Sequence, residues 1–253
     1  IGLKVTGNNA GIFSTVGDGG VVKDVNIYSG TFTGTINAGS VAGVNNGRIE
    51  GVVTFGNTVT SDGNAGGIAG TNNGKGTFDT DGKLTGNGIY DVESTSSVIA
   101  DSEFANAGGL VGTNDGALGN SFSDSAVTVA TGNTLGEGVG LGGVVGVNNG
   151  DVQYVDSLGV TNGGDTGSSD IGGIIGINNG TMYSGYNESI VSGKDNVGGI
   201  IGVNNERKEV TNVVNATRVT GDETDGQYVG GLIGSNSGNV TNGRNNGEIT
   251  GNQ

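Results

Sequence analysis

The sequence predicts an all-β fold, a right-handed parallel β-helix or β-solenoid of about seven to eight coils with loop insertions, and three observations carry that prediction. One short stretch recurs: "GSVAGVNNG" at 39, "GGIAGTNNG" at 66, "GGLVGTNDG" at 108, "GGVVGVNNG" at 142, "GGIIGINNG" at 172, "GGIIGVNNE" at 198 and "GGLIGSNSG" at 230. The composition is abnormal, with 57 Gly among 253 residues and no Pro, Cys, His or Trp, which leaves neither collagen nor a polyproline linker as an option. The hydrophobic residues, 32% of the chain, collect in β-branched runs such as "IGGIIGI" and "VGGIIGV", which a disordered chain does not gather.

Successive anchors begin 27, 42, 34, 30, 26 and 32 residues apart. The shortest interval suits a bare coil of three short strands and three turns, and the longer ones hold insertions, such as Lys75 to Ala105. Residues 1–38 form an N-terminal coil in which "AGIFSTVGDGG" at 10–20 is a degenerate copy; residues 39–253 form seven repeats of one continuous solenoid.

Within a coil the elements follow in order. The anchor is too short for a helix, and each of its glycines would cost a helix about 1 kcal/mol, so it is expected to be a strand. Asn-Asn-Gly or Asn-Asp-Gly then turns the chain with residues that tolerate positive φ. A second strand carries an aliphatic two places past the turn glycine: Ile49, Leu118, Val152, Met182 and Val240. The third is short and ends in glycine, as in "SIVSG" at 189, "TRVTG" at 217 and "EITG" at 248. Because the pattern returns in every coil, parallel, in-register stacking is the natural arrangement.

Single positions sharpen the expectation. The third anchor residue is always a large aliphatic, from Val41 and Ile68 to Ile200 and Leu232, and is the candidate inward ladder. The fifth is always Gly, which thins the strand where another backbone comes close. The seventh is always Asn, from Asn45 to Asn236, and stacked Asn side chains can hydrogen-bond along a ladder while occupying the turn's backbone groups. The residue before each anchor and the fourth anchor residue grow together, from Ala38 with Ala42 to Ile171 with Ile175. The C-terminal anchors are therefore apolar on both faces and are expected to be buried on both.

Gly-Gly-aliphatic-aliphatic-Gly-x-Asn-x-Gly, followed by a Val-x-Asn segment such as "GNVTNG" and a closing "EITG", resembles the GLUG repeat of bacterial secreted and surface proteins. These include filamentous-haemagglutinin-like adhesins and the exported regions of IgA-cleaving metalloproteases. The resemblance covers residues 39–253 and extends to "AGIFSTV". It implies an extracellular or bacterial cell-surface location, and the repeat itself carries no catalytic residue.

Without His or Cys, neither a Ser-His-Asp triad, a Cys-His pair nor the usual zinc sites can be built, and the His-Glu-x-x-His helix of a metalloprotease is absent. The chain is expected not to be an enzyme. A carbohydrate-active β-helix with paired carboxylates is the catalytic alternative. Trp platforms are missing, however, and Asp79, Asp81, Asp91 and Glu93 fall in an insertion that reads as a solvated acidic loop. "DTDGKLTGN" at 79–87 has the Asp-x-Asp-Gly core of a calcium loop, which makes Asp79 and Asp81 candidate Ca²⁺ ligands. Thr77 and Gly88 stand where further acidic ligands belong, and "GDETDG" at 221–226 is similarly incomplete. No other cofactor is expected. The basic run "ERKE" at 206 reads as a surface insertion.

The net charge is -15, and between Leu84 and Gly193 there are twelve Asp and Glu but no Lys or Arg, so nucleic acid is not an expected partner. No apolar run approaches the roughly 18 residues of a membrane helix, and membrane insertion is not expected. The reading that results is an extracellular structural or adhesive module of a bacterial surface protein or fibre. Its expected partners are further repeats of the same chain or copies of itself, with a host or glycan receptor. The alternative is a subunit that stacks end to end into filaments. The chain starts at Ile, so a removed leader or a longer precursor is expected. It stops at "NVTNGRNNGEITGNQ", where another anchor would begin, and something is expected to occupy that edge.

Overall fold

The computed structural model describes residues 2–164, 170–222 and 227–251, and these form strands, turns and bends without a helix. The strands stack in parallel into a β-solenoid of about eight turns, with a 22-stranded sheet and a separate 8-stranded sheet along its length. Registers confirm the repeat. Ile49, Ile89, Leu118, Val152, Met182, Val210 and Val240 lie in one line across successive coils. Val59, Val98, Val127, Thr161, Val191, Val219 and Ile249 form a second.

The anchor departs from expectation: it is a corner, not one strand. Ile171–Gly172 belongs to the large sheet and Ile175–Asn178 to the small one, with a bend at Gly173 and Ile174 between them. The bend breaks strand alternation, which is why the adjacent Ile174 and Ile175 are both fully buried, as is Ile171. Glycine is needed on both sides of the corner. At Gly173 the Asn187 side chain fills the space a Cβ would take, and at Gly176 a Cβ would lie 2.5 Å from the backbone N of Leu141 in the preceding coil.

The third-position ladder faces inward as expected: Val41, Ile68, Leu110, Val144, Ile174 and Ile200 have no exposed surface, each burial stabilising the fold by roughly 1.5–3 kcal/mol. The asparagine ladder also forms. Nδ2 of each Asn donates to Oδ1 of the next: Asn45 to Asn72 at 2.9 Å, Asn72 to Asn114 at 2.7 Å, Asn114 to Asn148, Asn148 to Asn178 and Asn178 to Asn204 at 2.9 Å, and Asn204 to Asn236 at 2.8 Å. A second interior amide ladder, Asn187 to Asn215 at 2.9 Å and on to Asn245 at 2.8 Å, continues a register of Ser94, Ser123 and Ser157.

Two further features differ from the sequence reading. The second strand turns a corner of its own at a left-handed residue: Gly51, Asp91, Asn120, Tyr154, Ser184, Asn212 and Asn242 have φ of 62, 55, 46, 52, 58, 58 and 54°. Asn, Asp and Gly adopt that conformation readily, whereas Tyr154 does not. The region from Lys75 to Ala105 is also not one insertion. Gly88–Ala100 is a regular coil strand that pairs with Arg48–Ser61, and the inserted part is a hairpin of Thr77–Phe78 against Leu84–Thr85.

Candidate functional site

Asp79 and Asp81 are both exposed on this hairpin. Asp79 Oδ1 accepts the backbone N–H groups of Asp81 at 3.0 Å and Lys83 at 2.9 Å, so its carboxylate caps the tight turn. Asp91 and Glu93 lie on the following coil strand, where Asp91 occupies the left-handed corner and accepts from Asn120 Nδ2 at 3.2 Å. Among the described residues no three acidic side chains gather in a way that could hold a metal ion. Calcium at this turn would therefore have to draw on backbone oxygens and water beside one or two carboxylates. In "GDETDG", residues 223–226 lie outside the described residues.

The hairpin is fastened to the solenoid flank. The Arg48 guanidinium donates to the carbonyls of Leu84 at 3.1 Å and Gly86 at 2.9 Å, while its Nε donates to Glu50 Oε2 at 2.7 Å. That hydrogen bond from Arg48 holds the Glu50 carboxyl below its ordinary range. Phe78 occupies the space that a side chain at Gly119 would take, and Gly82 lies against the ring of Tyr154, which meets Tyr183 edge-on at 5.4 Å. The "ERKE" run replaces a turn glycine with Glu206 and leads into the strand Glu209–Asn215.

The solenoid edge is the surface whose chemistry is least satisfied. Ile200, Val210 and Val219 are fully buried, yet their counterparts one coil later are not: Val240 is 37% and Ile249 48% exposed, and Leu232 is only partly buried. Every residue of Asn239–Asn245 is exposed. Both amide ladders reach this edge, at Asn236 and Asn245. The opposite edge also exposes apolar side chains, at Leu3, Ile12 and Phe13. An open parallel strand presents a row of N–H and C=O groups, and here that row borders an apolar interior, so the edge can template one more β layer. Sequence reasoning missed the side-chain ladder of Ser94 to Asn245, because Ser in the first three of these coils gives way to Asn in the last three, and insertions displace Ser94 and Asn215 from the spacing that the other four keep.

No family profile matches the chain, and no curated protein matches it. Among solved structures it is similar to that of a "putative immunoglobulin A1 protease" from Bacteroides ovatus, with a TM-score of 0.58 and 21% identity over 90% of this chain and 67% of that one. At that identity the likeness concerns the fold.

Proposed function

We propose that the chain is a non-catalytic structural or adhesive module of an extracellular bacterial surface protein or fibre, a rigid solenoid to which further β layers are added. The observation that carries this reading is the stack itself: Ile174 and Ile200 are fully buried and the amide ladder passes from Asn45 to Asn236, so each coil is bonded to the next. Support also comes from the GLUG-like repeats and from the lack of His and Cys, which leaves the commonest nucleophilic and metal-dependent hydrolytic sites without their residues. An antibody raised against the chain is expected to label intact cells of its source; labelling only after permeabilisation would defeat the reading. A second reading, end-to-end stacking of copies, is favoured by the apolar Leu3, Ile12 and Phe13 at the opposite edge. It requires that association rise with concentration and be lost in Val240→Lys.

A further inference from the structure

The outer surface of the small sheet changes character along the stack. Its sixth anchor position is Val44 in the first anchor and then Thr71 and Thr113, and each of the two hydroxyls closes onto the asparagines beside it. Thr71 Oγ1 donates to Asn37 Oδ1 at 2.7 Å and Thr113 Oγ1 to Asn64 Oδ1 at 2.8 Å. Asn64 Nδ2 and Asn106 Nδ2 return bonds to the two threonines at 3.2 and 3.4 Å. Further along, the same position is Val147, Ile177 and Val203, and the flanking asparagine is replaced by Gly140 and then Asp170. These three coils carry no hydroxyl at that position, which returns as Ser235 in the next, and a groove of about 700 Å³ lies along them.

Val147, Ile177 and Val203 supply the aliphatic surface of the groove, and the first two are almost fully buried. Glu137, Asp170 and Asp195 also line it, while no Lys or Arg is among its described lining residues. Asp170 is held in place by Asn196 Nδ2 at 2.7 Å, and the charges of Glu137 and Asp195 both bear on its carboxyl. Asn179 and Asn205 add amide groups at the adjoining turns. A complementary ligand has methylenes ending in cations, together with carbonyl acceptors for the amides. Lysine side chains on an extended backbone have both, whereas a free polyamine has no acceptor.

We propose that this groove binds an extended, lysine-bearing peptide segment of a partner protein, with the lysine methylenes on Val147, Ile177 and Val203 and the ammonium groups against Glu137 and Asp195. Acidic surface with an aliphatic floor selects that chemistry through charge complementarity and desolvation together. The inference is independent of what covers the solenoid edge. Its test is calorimetric titration of the full chain with an eight-residue peptide of alternating lysine and valine (about 25 Å extended), at two salt concentrations. The peptide is expected to bind, more weakly at high salt, and about tenfold more weakly to the double variant Glu137→Gln, Asp195→Asn. Ile177→Thr, which installs the residue type of Thr71 and Thr113, should also weaken binding; its circular dichroism is checked against the parent. Lysine acetylation should abolish binding. Absence of binding, equal affinity in the double variant, or equal affinity of the acetylated peptide would overturn the proposal. Spermidine binding as tightly as the peptide would overturn the peptide assignment.

Discussion

Replacing Asn178 with Ala tests whether the buried amide ladder holds the coils in register. Asn178 is fully buried and takes part in four hydrogen bonds. It accepts from Asn148 Nδ2 at 2.9 Å and from the Gly180 N–H at 3.3 Å, and donates to Asn204 Oδ1 at 2.9 Å and the Gly180 carbonyl at 3.3 Å. At about 1 kcal/mol net for each bond the loss sums to about 4 kcal/mol. Part of it is recovered, because Asn148 Nδ2 keeps the carbonyls of Gly150 and Thr181, so about 3 kcal/mol is expected. Asn149→Ala is the control: that residue is exposed, its bonds with Asp115 and Asn179 face water, and the cost should stay below about 1 kcal/mol. Urea unfolding followed by far-ultraviolet circular dichroism measures both. Stacked repeats can open in parts, so amide hydrogen exchange at Ile175–Asn178 and Ile201–Asn204 accompanies it. Equal, small losses in the two variants would refute a structural role for the ladder.

Ile174→Ala should cost about 2–5 kcal/mol by leaving a cavity against Met182 in a thin core, read as a lower urea midpoint. Thr161→Val should stabilise by about 1 kcal/mol, because Thr161 Oγ1 is buried without a partner in a ladder otherwise lined at that point by Val127 and Val191; a lower midpoint would show a bound partner for that hydroxyl. Asp170 titrates above the ordinary carboxylate range, chiefly through burial, with the Asn196 and Gly138 hydrogen bonds pulling partly back. Between its unfolded and folded pKa the native state therefore holds more protons, and this group's contribution to stability falls as pH rises through that window. Asp170→Asn should be the more stable protein at pH 7, with the difference shrinking on acidification; a constant difference would contradict the burial argument.

Much of this fold was legible because a stack repeats its constraints. Ile174, Gly176 and Asn178 each satisfy one demand, an apolar interior, a close backbone and a bonded turn, that every coil makes again, so seven copies stand out from chance. The corner inside the anchor was hidden, because Gly173 and Ile174 look like strand residues until the Asn187 side chain is seen to fill the place of a Cβ. The left-handed corner was hidden for the opposite reason: Asp91, Asn120, Tyr154 and Ser184 share a backbone conformation but no residue type. Gly88–Ala100 was obscured by the hairpin that delays it, although the alternation in "DVESTSSVIA" is that of a strand with one buried face. The groove was beyond sequence reading, since it arises where the sixth anchor position meets a residue that precedes the anchor.

The bonding of each coil to the next is the centre of the account, and hydrogen exchange tests it most directly. A chain extended after Gln253 by a copy of residues 171–197 places one more layer on the last strands. Asn239–Asn245 and Ile249 are exposed residues, and those amides of Asn239–Asn245 and Ile249–Thr250 that do not already bond the preceding coil, as Asn239 does to Lys208, should gain the protection of Glu209–Asn215 and Val219–Thr220. Unchanged exchange at those strands, with the added segment unprotected, would contradict the claim that each coil templates the next.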